Sequence, residues 1–310
     1  MLNNLTINFF ILVLTFSITS AQNIVTDSTA TVVGYWGKGE KKILTIQHDR
    51  VKYENEVLTY QEGSTYEAFV TIVDSTENSY TIEWAIKNVQ TSRDANPLVK
   101  ALVKMTENLK IIYKTDELGT FSELINWEEM KNFLNTALEK MHDELNDSPE
   151  FINALNKVKE MFTTKAAIEQ IMIREIQIYH TPYGLEYKLN EKLALETQLP
   201  NIFGGEPFPA VLNIELTEIN PEENSCRLTM STEMDEEKAT EIVFDFVKKL
   251  AEQMGKPLPD LNELPVFAIH DTCAFEVDLI SGWLTRAYYK RKVQNDLVKQ
   301  IDNYEIKLNR

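Results

Sequence analysis

The side chains in this sequence able to do chemistry are four histidines, two cysteines and several carboxylate clusters. His48, His142, His180 and His270 stand apart, none three to five residues from another or beside a cysteine, so the spacing of zinc ligands is missing. Thr272, Glu276 and Asp278 follow His270 on the same strand face, but that is the polar face, where solvated side chains belong. No Gly-x-Ser-x-Gly, His-Glu-x-x-His or phosphate-loop pattern occurs. Gly204-Gly205, set between prolines, answers a need for unusual backbone angles better than a need to cradle phosphate. Glu222-Glu223 fall in a hairpin turn and Asp235-Glu236-Glu237 open a helix, where carboxylates favour the positive end of the dipole, so neither cluster requires calcium. The sequence therefore offers no catalytic residue, no cofactor-binding residue and no metal ligand, and an enzyme ranks third among the functional readings.

The cysteines have a different chemistry. Cys226 shares the apolar face of its strand with Leu228 and Met230, and Cys273 shares another with Phe267, Ile269, Phe275 and Val277. Both point inward, which makes Cys226–Cys273 a candidate disulfide, with about 4 kcal/mol of stabilisation on the chain-entropy model. The alternative is two free thiols packed as small hydrophobes. Trp84 and Trp127 lie on apolar faces and Phe246 in a helical apolar stripe, as core side chains first and ligand-facing ones second.

The elements that position these residues come in two similar sets. Tyr80, Ile82, Trp84 and Ile86 alternate after Glu77-Asn78-Ser79, while Cys226, Leu228 and Met230 alternate after Glu223-Asn224-Ser225. Period two puts them on one sheet face and leaves Thr81, Glu83, Lys87, Arg227, Thr229 and Ser231 on a wet one. Each set continues with a helix, Pro97 to Glu107 or Asp235 to Met254, and a strand ending in Asp116-x-x-Gly119-x-Phe121 or Asp278-x-x-x-Gly282-Trp283. The order predicts a tandem duplication, with a first β-rich copy over 22–122, a helical connector over 123–179 and a second copy over 180–310, all in one body. In the connector, Leu124, Trp127, Leu134, Leu138, Met141 and Leu145 mark an amphipathic helix, Ser148-Pro149 opens another through Phe162, and a third covers Lys165 to Ile178. These apolar stripes need a partner surface. The expected fold is α+β, a curved antiparallel sheet system with helices over its concave apolar face.

Composition and the N-terminus bound the rest. With 31 Lys+Arg against 48 Asp+Glu the net charge is −17, which excludes a surface built for phosphate backbones, and 43% hydrophobic residues exclude disorder. The C-terminal piece from Leu284 runs the other way, with seven Lys/Arg against Asp296, Asp302 and Glu305, and a basic strand of this kind bridges to its own acidic body. Residues 1–21 hold no charged side chain, and an apolar stretch from Phe9 to Phe16 precedes Thr19 and Ala21. That predicts a signal peptide cleaved after Ala21 and a periplasmic or secreted protein, the apolar stretch being too short to span a bilayer.

Leu199-Pro200-Asn201-Ile202-Phe203-Gly204-Gly205-Glu206-Pro207-Phe208-Pro209-Ala210, placed after an exported start and before the second hairpin, resembles uncharacterised secreted proteins of Bacteroidota. In outline, a curved sheet with helices over its concave face is similar to periplasmic lipid and lipoprotein carriers. That likeness implies a non-catalytic binding protein for a lipid or other hydrophobic small molecule, without a cofactor. An envelope structural or protein-interaction module is the alternative, and neither nucleic acid nor a membrane-spanning role is expected.

Overall fold

Two runs of alternating sequence fold into two meanders that join side by side. The structure, a computed structural model, describes residues 28–92, 100, 103–144, 159, 164–199, 201, 207–254 and 267–309. The leader 1–21, nearly all of the helix expected from Ser148 to Phe162, much of the Pro97–Glu107 helix and half of the Leu199–Ala210 loop lie outside the described residues.

After β1 (Thr29–Val32) the first meander comprises β2 (Lys41–Glu54), β3 (Val57–Thr76), β4 (Ser79–Thr91), β5 (Lys110–Asp116) and β6 (Phe121–Leu124). Among the described residues there follow the helices α1 (Trp127–Glu144), α2 (Lys165–Met172) and α3 (Arg174–His180), and then β7 (Leu185–Lys188). The second meander comprises β8 (Lys192–Leu199), β9 (Phe208–Asn220), β10 (Ser225–Met234), β11 (Ala268–Asp278), β12 (Leu284–Gln294) and β13 (Val298–Leu308), with α4 (Glu236–Met254) between β10 and β11. The eleven strands of the main sheet lie in the order β6-β5-β4-β3-β2-β13-β12-β11-β10-β9-β8. Every neighbouring pair is antiparallel. The sheet is curved and open, and β13 joins the meanders by pairing with β2 from Val298↔Glu54 to Leu308↔Leu44. β1 pairs with β7 as a separate two-stranded ribbon in contact with β9.

Local chemistry explains the turns. Asn55 and Glu56 both take positive φ, the requirement of a two-residue turn matched to strand twist, and close the β2–β3 hairpin. The two Asp-Gly motifs occupy corresponding turns, β5 to β6 and β11 to β12. Asp116 Oδ1 accepts from the backbone N–H of Leu118 and Thr120, and Asp278 Oδ1 accepts from those of Ile280 and Ser281. Gly119 and Gly282 then adopt φ of 98° and 69°. A Cβ on Gly282 would run into the Val33 carbonyl oxygen and the Gly34 backbone, so the chain at 33–36 passes too close to that turn for any other residue.

The passage at 33–36 delivers Trp36 to the centre of the inner face. Its ring lies 5.2 Å from Tyr80, 5.3 Å from Tyr183 and 5.0 Å from Trp283. Around it Trp84, Tyr113, Tyr179, Ile72, Ile82 and Phe275 are fully buried, each contributing roughly 1.5–3 kcal/mol of hydrophobic stabilisation. The connector meets this core differently from expectation. A single helix over Lys165 to Ile178 is replaced by two, because Ile173 (φ −124°, ψ 29°) leaves helical geometry, and the break turns Ile173, Ile176 and Tyr179 into the core. On the outer face the basic strands bridge to acidic neighbours as the sequence implies. Arg286 and Lys307 share Glu305 at 2.5 and 3.1 Å, and Arg227 meets Glu218 at 3.0 Å and Glu276 at 3.2 Å.

Candidate functional site

Charged residues interrupt the apolar alternation on the inner face, and strand register brings them into one line. Asp271 of β11 stands opposite Arg291 of β12, Arg291 opposite Asp302 of β13, Asp302 opposite Arg50 of β2, and Arg50 opposite Glu62 of β3. The signs alternate across five adjacent strands. Toward the sheet margin the same line continues through Thr232 of β10, Leu212 of β9 and Leu195 of β8.

The pairs are closely made. Arg291 grips Asp271 with two hydrogen bonds, Nε to Oδ1 at 2.8 Å and Nη2 to Oδ2 at 2.6 Å. Arg50 Nε donates to Asp302 Oδ1 at 2.5 Å, and its Nη1 reaches Glu62 Oε1 at 3.4 Å. Gln300 Nε2 donates to Asp302 Oδ2 at 2.9 Å, and Tyr60 donates its hydroxyl to Glu62. Burial works to raise the Asp302 carboxyl, but His48, Arg50 and Gln300 outweigh it and hold it well below the usual carboxylate range. The next line toward the core is Cys273, Tyr289, Tyr304, His48 and Ser64, with His48 stacked on Tyr304 at 4.1 Å. The start of α3 covers part of it. Arg174 Nη2 donates to the Tyr289 hydroxyl at 2.5 Å, and the Tyr66 hydroxyl donates to Glu175 Oε1 at 2.6 Å, where burial raises the Glu175 carboxyl.

This ion row separates two apolar fields. The larger one includes Trp36, Phe275 and α3, with Cys273 at its edge; the smaller packs α4 through Ala239, Ile242 and Val243 onto Leu199, Phe208, Ala210, Met234 and Ile269. Asp271 sits between Cys273 and Ile269 along β11. A second buried polar group lies in the larger field. His180 Nδ1 meets the Gly119 carbonyl at 2.7 Å and Nε2 meets the Tyr113 hydroxyl at 2.9 Å. A carbonyl only accepts, so the proton is on Nδ1 and the Tyr113 hydroxyl donates to Nε2.

These groups are arranged to satisfy one another. The acids of the ion row are occupied by arginines, and desolvation pushes the His180 imidazole down to about 4, which keeps it neutral. Among the described residues no group of three or more His, Cys, Asp or Glu side chains is set to hold a metal ion. His270 lies on the outer face, between Glu233 and Lys292 on the adjacent strands. Asp235 caps α4 by accepting from the Lys238 N–H at 3.0 Å.

The candidate disulfide does not form. Cys226 faces Val277 and Cys273 faces Met230, so the two share a sheet face but stand four positions apart in register. That is about 13 Å along the strand, whereas a disulfide needs Cα atoms within about 7 Å. Both are free thiols, and burial pushes each up to about 12, which makes them inert. Alkylation of the denatured protein without reductant is expected to add two labels by intact mass; an unlabelled protein that takes two labels only after reduction would contradict this register.

The aromatic candidates divide. Trp84 is core at 0% exposure, Trp127 packs at the edge of the larger field, and Phe246 on α4 remains 37% exposed. Sequence reading missed the sheet margin at β8. There Leu193 and Leu195 have the inner-face register, opposite Ile214 and Leu212, yet each is 39% exposed.

The fold defines the class, an open curved antiparallel sheet with helices on its apolar side. No family model matches the chain, and no curated protein matches it. Among solved structures it is similar to the one titled "Lipid-protein interactions in lipovitellin", at 10% sequence identity and a TM-score of 0.43. The match covers 88% of this chain and 25% of that one, so the chain spans about a quarter of that protein's length.

Proposed function

We propose that the protein is an exported, non-catalytic binding protein that takes a hydrophobic ligand on the inner sheet face at its β8 margin. The observation that carries this is the exposure of Leu193 and Leu195 on a face that is otherwise packed, beside the partly buried Leu212. The middle of that face is filled by Trp36, Tyr179, Tyr183 and Trp283, so the ligand lies along the margin instead of inside a central cavity. Export is supported by the uncharged, apolar N-terminal residues, and a mature protein beginning at Gln22 is the expected mass. Duplication is supported by the matching order of β2 to β6 and β8 to β12 across the sheet, with β13 between them. A protein-interaction module is the second reading, favoured by the edges at β6 and β8, which among the described residues have no further strand beside them.

The test is fluorescence titration with cis-parinaric acid. Saturable binding is expected, and Leu193→Asp with Leu195→Asp should weaken it at least about tenfold by placing two charges where the chain must lie. No saturable binding, or equal binding by the double variant, would refute the ligand reading.

A further inference from the structure

Among the described residues the sheet ends at β8, whose outer edge has no strand beside it. Edges of this kind are normally blunted by proline, a bulge, charged side chains or a covering element, because unpaired N–H and C=O groups template pairing with another chain. Of these, among the described residues, β8 carries only its two charges, Lys192 and Glu196, which a partner of complementary sign can satisfy. β8 runs Lys192-Leu193-Ala194-Leu195-Glu196-Thr197-Gln198-Leu199 without proline, and it pairs with β9 without a register shift. Lys192, Leu193, Ala194, Leu195 and Glu196 are all exposed. Among the described residues neither Lys192 nor Glu196 has an ion-pair partner, although most charges on this sheet are paired.

The sequence of β8 complements itself. Placed antiparallel about Ala194, Lys192 falls opposite Glu196 of the other copy and Leu193 opposite Leu195, while Ala194 meets Ala194. We propose that a second copy of this chain is the occupant of this edge, in a two-fold dimer paired β8 to β8 about Ala194. The pairing is isologous, so each contact occurs twice, which gives two Lys–Glu pairs on the outer face and two Leu–Leu pairs on the inner face. Because opposite residues in an antiparallel pair point the same way, the inner faces of both copies lie on one side. One sheet of twenty-two strands results, with four leucines at its centre. A different register loses the charge match. Shifted by two residues, so that Leu195 and not Ala194 lies on the axis, Lys192 would face Gln198 and Glu196 would face Ala194.

The experiment is sedimentation velocity on the full mature chain at about 1–50 μM, with charge reversals at the two positions. The unchanged protein is expected to show a dimer. Lys192→Glu alone and Glu196→Lys alone each place like charges opposite one another twice, and each should weaken the dimer at least about tenfold. The combined reversal, Lys192→Glu with Glu196→Lys, should restore it. Both residues are exposed, so misfolding is not the expected consequence, and far-UV circular dichroism on each variant checks this. Ala194→Cys should also cross-link the two copies under mild oxidation. A monomer throughout the concentration range, or a dimer indifferent to the single reversals, would overturn the inference. Ligand titration reports on a separate quantity, so failure of the dimer leaves the hydrophobic-ligand reading to its own test.

Discussion

Replacing Asp271 by alanine is expected to destabilise the protein by about 3–5 kcal/mol, among the largest effects of any single side chain here. Asp271 is buried, and its bidentate partner Arg291 keeps only 16% of its side chain exposed. Burial alone would lower the Arg291 guanidinium, but Asp271 more than compensates and raises it, so without the acid a fixed positive charge is left in a poorly solvated place. Asp302 lies on the opposite strand and softens the loss without offering the same fork. Replacing both partners with apolar residues of similar volume, Asp271→Leu with Arg291→Met, should recover most of the stability because no charge remains to be desolvated. Urea unfolding of the two singles and the double gives the cycle. A cost below about 1 kcal/mol for Asp271→Ala would show that Arg291 finds solvent, and that the row is not held by its charges.

The row also explains how far the sequence could be read. Alternation in β4 and β10 assigned Ile82, Trp84, Leu228 and Met230 to the buried face, and that assignment holds because a period of two fixes the face wherever the strand itself is certain. The helix spans of α1 and α4 were legible for the same reason, with Asp235 marking the start of α4. Asp271, Arg291, Asp302 and Arg50 are legible in the sequence only as separate charges in separate strands. Their alignment depends on three strand registers, one of them between β13 and β2, far apart in the chain, and no local pattern encodes that. The same gap produced the disulfide expectation. Inward direction was right for both cysteines, but a four-position offset cannot be seen without the register of β10 against β11.

The connector shows a second limit. The periodicity from Lys165 to Ile178 is continuous in apolar residues, so it reads as one helix, whereas the chain bends at Ile173 to follow the curvature of the core. β1 and β7 were invisible for a related reason. Strands of four residues carry too little pattern, and their partners are each other and the inner face of the sheet, not sequence neighbours. What results is a structure whose middle is closed by rings and whose margin at β8 is open, which is why both proposals concern that edge.

Stability is expected to fall as the pH drops from about 6.5 to about 4, and His180 is the reason. In the unfolded chain a histidine binds its proton near pH 6.5, while in the fold desolvation pushes His180 down to about 4, against a smaller opposing pull from the Gly119 carbonyl and Asp116. A depressed folded value means that the unfolded state binds the proton first. The contribution of His180 is therefore fully present above about pH 6.5, declines through the interval, and levels off below about 4, a loss of about 3 kcal/mol in total. Glu175 acts in the opposite direction, since its raised carboxyl holds a proton longer in the fold than in the unfolded chain. The test must therefore isolate the histidine. His180→Phe removes the titrating group and keeps an aromatic ring among Trp36, Tyr179 and Tyr183, although it leaves the Gly119 carbonyl and the Tyr113 hydroxyl unpaired and so lowers stability at pH 7. Urea unfolding from pH 4 to 8 should show the gap between the two proteins narrowing as the pH falls, because only the wild type pays for a neutral imidazole. Proton NMR of the imidazoles gives the direct measurement, with His180 titrating near 4; a normal titration near 6.5, or a gap that stays constant with pH, would mean that the ring is open to water and not sealed between Tyr113 and Gly119.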